Sequence, residues 1–321
     1  FFALSIFKIR EWIIASIPLP LRAGIAAGIG LFLALIALEG AGSVVDNPAT
    51  LVGLGDLTKP GPLLALLGFF IIVALEARRV TGAVLIGILV VTFISMGIGL
   101  TPFGGVFSAP PSIAPTFMQL DIAGAFNVGL VSVIFAFLFV DVFDNTGTLL
   151  GVTKRAGLAD EQGNVPKMGR ALIADSAAAL FGSLLGTSTT TSYVESAAGV
   201  SAGGRTGLTA IVVAVLFLLS LFFSPLAGSV PVYATAPALL FVAVLMASGL
   251  AEIDWKDITT AAPVTVTALT MPLTYSIANG IAFGFITWTV VKLLSGRTKE
   301  INAALVILSI LFVIKLGWLS A

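Results

Sequence analysis

Residues 186–199 read "GTSTTTSYVESAAG". Eight of these fourteen residues are Ser, Thr or Tyr, and Glu195 adds a carboxylate. The flanking runs are apolar, "ALIADSAAALFGSLL" at 171–185 and "TGLTAIVVAVLFLLSLFF" at 206–223. The polar stretch therefore sits where a membrane span is expected. An ionisable side chain at bilayer depth costs about 2.5–3.5 kcal/mol on insertion scales. Irregular backbone is tolerated there only where it lines a cavity or is buried in protein. The stretch thus predicts a span broken at mid-membrane, with hydroxyls satisfying loose backbone groups. The plainer alternative is a Ser/Thr-rich helix packing face.

The rest of the chain supports a membrane setting. Of 321 residues, 58% are hydrophobic and only 10% charged, and the mean hydropathy is +1.12. A bilayer core needs about 20 apolar residues per helix, and such runs recur from end to end. The fold class is an all-α membrane protein. The alternating segments of about 10 residues that make a β-barrel are absent from the sequence. Net charge is zero, so nothing points to nucleic acid. There is no Cys and no His, which removes thiolate chemistry and makes zinc or haem sites unexpected. No metal and no cofactor are expected, and proton handling falls to carboxylates. The chain opens on Phe1 inside an apolar run, "FFALSIF". It reads as a fragment without its N-terminus rather than as a signal peptide.

Spans are predicted at 20–42, 61–77, 80–100 and 127–150, then two short ones at 170–186 and 192–203, then 206–225, 232–250, 260–276 and 279–295. A helix tail at 1–7 precedes them, and an apolar run at 302–318 spans or lies along the surface. Basic residues collect at alternate ends of these spans, as the positive-inside rule requires. Fourteen of the sixteen Lys and Arg residues fall on one side, provided that both short segments cross. The opposite side carries two long loops rich in Pro and Gly, 43–60 and 101–126.

Twelve acids, among them Glu39, Asp56, Asp257 and Glu300, fall in loops, an interfacial stretch or span ends and read as solvated charges. Four lie deeper. Asp141 and Asp144 are three residues apart, so they share a helix face with Thr148 one turn on. Asp175 lies one turn inside a span, where it is either functional or a partner for Arg170. Glu195 lies in the polar stretch. Desolvation raises a carboxyl pKa towards neutrality, so these four are the candidates for proton coupling. Thr189, Thr190, Thr191 and Ser192 are the supporting hydroxyls.

Two segments carry a family resemblance: "FVDVFDNTGTLLGVTKRAGL" (139–158) and "MGRALIADSAAALFGSLLGTSTTTSYVESAAGVSAGGRTGLTA" (168–210). With "IREWIIASIP", "NPATLVGLGDL" and "MPLTYSIANGIAFGFITW", they resemble the AzgA-like purine permeases, the adenine/guanine/hypoxanthine branch of the nucleobase–cation symporters. The resemblance implies two inverted repeats of seven spans, arranged as core and gate domains. Residues 1–126 would end the first repeat, with its first three spans missing, and 127–321 would form the second. It implies proton symport of guanine/hypoxanthine or adenine. The substrate-binding acids map to Asp144 and Glu195, with Tyr193 and Val194 as backbone contributors and Thr148 beside them. The "DNTG" at 144–147, in place of "E-x-x-G", favours the purine branch. The implied setting is the bilayer of a bacterial plasma membrane, with a homodimer left open.

Two other readings are weighed. A sulfate-type anion carrier of the same architecture would not centre an acid on its substrate, because like charges repel. An intramembrane aspartyl protease would use a "GLGD" element such as 53–56, but Asp56 lies in a polar loop and the sequence has no Tyr-Asp pair. A transporter, not an enzyme, is expected.

Overall fold

The computed structural model describes residue 6, residues 16–124, positions 134, 138, 141, 142, 145, 148, 149, 152, 153, 156–158 and 165, and residues 167–193, 196–201 and 203–318. The helices are α1 (Leu19–Gly40), α2 (Pro60–Ala77), α3 (Ala83–Gly97), α4 (Met168–Leu185), α5 (Ser196–Ser201), α6 (Gly207–Ser220), α7 (Ser224–Gly228), α8 (Val232–Ala247), α9 (Ile258–Leu273), α10 (Ile277–Leu294) and α11 (Ala303–Trp318). Among the described residues, five stretches are long and apolar enough to cross a membrane: Leu19–Gly40, Pro60–Ala77, Met168–Leu185, Gly207–Gly228 and Val232–Ala251. Local signals set the boundaries. Pro60 opens α2 at its first position, where a missing N–H removes no helical bond. Asp257 and Ser276 cap α9 and α10 with their side chains.

The fold is mostly helical, and loop 43–60 adds an antiparallel hairpin, β1 (Val44–Asn47) paired with β2 (Leu51–Leu54). The Val-rich runs on either side of "PAT" are strand formers that a Pro/Gly reading hides. In segment 192–203 the described helix is the short α5, with 192 and 193 outside it, and 194, 195 and 202 lie outside the described residues. Run 302–318, expected to span or lie along the surface, is helical over Ala303–Trp318. It forms α11, docked on α10 by a Phe285–Phe312 edge contact with centroids 5.8 Å apart and by Ser309 Oγ, which bonds the Phe285 carbonyl at 3.0 Å. The tail at 1–7 lies outside the described residues except for residue 6, and most of 127–150 does too.

α1, α2, α3, α8, α9, α10 and α11 form one bundle, with α9 clasped between α1 and α10. In a bilayer the hydrophobic effect does not draw helices together, so close packing must, and small residues four apart allow it. α1 carries Gly24 and Gly28, and α10 carries Gly280 and Gly284. A Cβ on Gly28 would lie 2.6 Å from Met271 Sδ and 3.1 Å from the Ala268 backbone, and one on Gly284 would overlap Thr267. Met271 and Thr267, both fully buried, thus fill the two glycine faces.

Ion pairs tie one end of this sandwich. The Asp257 carboxylate accepts from Thr259 Oγ1 (2.7 Å), Thr260 Oγ1 (2.9 Å) and Arg297 Nη1 (2.7 Å). Lys292, in the last turn of α10, is fully buried. Its Nζ lies 2.6 Å from Glu300, 2.9 Å from Thr259 Oγ1 and 4.8 Å from the Trp288 ring centre. The sequence had made Asp257 and Glu300 solvated charges; they partner a buried ammonium instead.

A strap runs over the opposite end. Gly104 N–H donates to Ser229 Oγ (3.1 Å) and Ser108 N–H to the Phe222 carbonyl (2.9 Å), with Phe107 stacked on Phe222. Further along, Met118 N–H and Thr116 Oγ1 donate to the carbonyls of Leu184 and Leu185 at the end of α4. Those carbonyls would otherwise be orphaned by the helix end.

Two outcomes follow. Gly28→Leu should lower the thermal midpoint of the detergent-solubilised protein, because overpacking costs about 1–3 kcal/mol. Gly97→Leu, where an added Cβ would meet nothing within 4 Å, should leave the midpoint unchanged. The Asp257 carboxyl is held well below its usual value of 3.8, chiefly by the Thr259 hydroxyl and then by Thr260 and Arg297, against a smaller opposing effect of burial. A depressed pKa stabilises fully above the ordinary value and is lost as pH falls through the folded one. Asp257→Asn, which keeps a cap but removes the charge, should therefore lower the midpoint by a constant amount from about pH 8 to pH 5, and by less below about pH 4.

Candidate functional site

The described positions 141, 142, 145, 148, 149, 152 and 153 are helical. Asp141, Asn145 and Thr148 are spaced four and three apart, so they share one face. All three are buried, Asn145 completely. Three polar groups on one buried face of an apolar run is not a packing pattern, since unpaired polar burial is penalised.

Opposite them lies the polar stretch. α4 stops at Gly186, which takes φ +80°, and residues 187–193 are neither helix nor strand. Gly182 lets this stretch fold back on α4: a Cβ there would lie 2.8 Å from Thr190 Oγ1. The Ser192 N–H donates to Asn145 Oδ1 at 3.3 Å, which ties the stretch to the helix carrying Asp141 and Thr148. Asn145 Nδ2 has no hydrogen-bond partner among the described residues. It is a buried donor still able to receive an acceptor. On the far side, Arg205 Nη1 bonds the Ala156 carbonyl at 2.9 Å and joins the chain after α5 to the end of this segment.

The structure thus brings together Asp141, Thr148 and Ser192 from the sequence-predicted set. Asp175 is half-buried two turns inside α4. The Tyr193 ring is largely exposed, in keeping with a backbone role alone. Asp144, Val194 and Glu195 lie outside the described residues. Thr189 and Thr190 are exposed, and among the described residues a bond that ties the stretch to this helix face comes from the Asn145 amide. Asn145 was missed because attention went to charge. The available signal was an amide inside an apolar run, directly after Asp144. Asp56 is exposed and turned onto Thr58, whose N–H and Oγ1 donate to it at 3.0 and 2.6 Å. Among the described residues no group of three His, Cys, Asp or Glu side chains could hold a metal.

Comparison with known proteins places this geometry. The sequence model of the xanthine/uracil permeases, described as "Permease family", matches residues 1–283. The chain is 49% identical to adenine permease AdeP of Escherichia coli (strain K12), over 99% of this chain and 72% of the relative. It is 44% identical to guanine/hypoxanthine permease PbuG of Bacillus subtilis (strain 168), over 98% and 72%. It is 50% identical to putative permease MJ0326 of Methanocaldococcus jannaschii, over 100% and 74%. The solved structure of SLC26A9 superposes with a TM-score of 0.51 at 16% identity, covering 87% of this chain and 47% of that one, which shows a shared fold. A broken apolar segment facing a polar helix face, in a chain that matches permeases along nearly its whole length, is an integral membrane transporter and not an enzyme: the chain belongs to the xanthine/uracil permease family.

Proposed function

We propose that the protein carries purine bases, adenine or guanine/hypoxanthine, into the cell by symport with protons. The observation that carries this reading is the bond between Ser192 N–H and Asn145 Oδ1. It sets an extended, hydroxyl-rich stretch against a buried face holding Asp141 and Thr148. Broken helices of this kind hold substrate at the membrane midplane in secondary transporters. The names of AdeP and PbuG support a purine substrate. Asp144 and Glu195 are assigned to the base, as acceptors for its N–H edge. The Asn145 Nδ2 donor suits a ring nitrogen or carbonyl. The coupling proton is assigned to the set Asp141, Asp144, Asp175 and Glu195.

The same proposal covers the architecture. The bundle built on α9 is the gate part, and the elements around 141–201 are the core part. Residues 1–126 close one inverted repeat and 127–321 form the other. The SLC26A9 fold supports this layout. It also supports a sulfate-type anion carrier, but a site with a buried Asp141 suits a neutral base better than an anion. The bacterial plasma membrane is the assigned location. A homodimer is compatible with this arrangement, and the chemistry does not require it.

Cells expressing the full-length protein should take up labelled adenine, guanine or hypoxanthine faster under an inward proton gradient. Asp144→Asn and Glu195→Gln should each reduce uptake at least about a hundredfold, the scale of losing a charged hydrogen bond in a closed site, with the protein still in the membrane. Normal uptake by either variant would remove that residue from the site. These 321 residues hold no cysteine, so Thr191→Cys adds one labelling position among them. Its reaction with a maleimide should speed up several-fold when Asn145→Ala releases the stretch.

A further inference from the structure

Resting on the purine-carrier reading, we propose a second, outer docking subsite for the base, at the end of the bundle opposite the Lys292 cluster. A cavity of about 310 Å³ opens there, lined by Ile36, Glu39, Val232, Thr235, Leu239 and Tyr275 among others. Its size is at the lower end of the range of small-molecule pockets, about 300–1,000 Å³. Its walls follow the usual plan of such sites, mostly apolar with a few convergent polar groups.

The polar groups are specific. Tyr275 Oη donates to Glu39 Oε2 at 2.7 Å, across from the α9–α10 turn to the end of α1. The Tyr275 ring is held edge-on to Phe32, with centroids 5.4 Å apart and planes at 80°. Its backbone is left-handed at φ +51°, a conformation unfavourable for a bulky residue and concentrated at ligand clamps and switch regions. Thr235 Oγ1 already donates to the Val232 carbonyl at 3.0 Å, so its lone pairs face outward as acceptors. The site therefore offers a carboxylate and hydroxyl oxygens to a ligand that brings donors. An anion would meet the Glu39 charge. A bare metal cation would find one carboxylate and apolar walls where it needs six or so oxygens. A flat, neutral heterocycle with N–H groups along one edge meets both constraints: its edge reaches Glu39 and Thr235, and its faces lie on aliphatic groups and the Tyr275 ring.

The subsite is a waiting position and not the transport site, which sets its test. Uptake of labelled adenine, guanine and hypoxanthine would be compared in wild type, Glu39→Gln and Tyr275→Phe. Tyr275→Phe keeps the ring and its Phe32 contact and so guards against a folding artefact. The expected result is a KM raised about tenfold with an unchanged maximal rate, because the variants slow capture of the base and not its translocation. In purified Glu195→Gln protein in lipid nanodiscs, weak equilibrium binding of the same bases should persist and vanish on adding Glu39→Gln. Wild-type KM in both variants, or residual binding that survives Glu39→Gln, overturns the subsite and leaves the purine reading standing. No uptake of any of the three bases by wild type overturns the purine reading itself.

Discussion

Most of this molecule depends on α9 fitting between two glycine-faced helices. Lipid is as apolar as a leucine side chain, so burial alone gives the helices no reason to associate. What remains is dispersion at close range, and that falls steeply with distance. Gly28 and Gly284 remove the atoms that would hold the helices apart, and Met271 and Thr267 occupy the space. α9 itself contains Pro263 and Pro272, each of which removes a helical bond. A helix so weakened gains its order from its neighbours.

The ends of the sandwich are tied by different chemistry. At one end a fully buried Lys292 is matched by Glu300 and Asp257. A buried charge without its partner is strongly destabilising, whereas the pair itself adds little net stability. The cluster therefore fixes where α9, α10 and the start of α11 meet more than it raises the stability of their meeting. At the other end a Tyr275–Glu39 bond on exposed residues and the Phe32–Tyr275 edge contact join α1 to the α9–α10 turn. One end is held by buried charge and the other by exposed polar and aromatic contacts.

Much of this was legible in the sequence, and the misses share a cause. Hydropathy and the placement of Lys and Arg located α1, α2, α4, α8 and α10 to within a few residues, because bilayer thickness and charge asymmetry act on whole segments. The break after Gly186 was legible because hydroxyls are out of place in a span. The hairpin at Val44–Leu54 was hidden because its strands are four residues each and carry no long-range pattern. Asn145 and Lys292 were missed for one reason: their contacts depend on which distant residue faces them. Ser192 is 47 residues from Asn145 and Tyr275 is 236 from Glu39. Local composition holds no trace of such pairs.

The strap over residues 104–118 has a mechanical meaning. It is fastened by Gly104 and Ser108 to the segment around Phe222 and Ser229, and by Thr116 and Met118 to the last carbonyls of α4. Between its two fastenings lie Pro110, Pro111 and Pro115, and a proline-rich chain is a semi-rigid spacer rather than a slack one. Eight residue steps can reach about 27 Å at full extension, and prolines leave little of that length to draw in or let out. If α4 and the α7 region move relative to each other during a transport cycle, the strap acts as a tie-rod. It permits swinging about its pins and resists separation, so the travel of one half against the other is fixed by the length of a loop that touches no substrate.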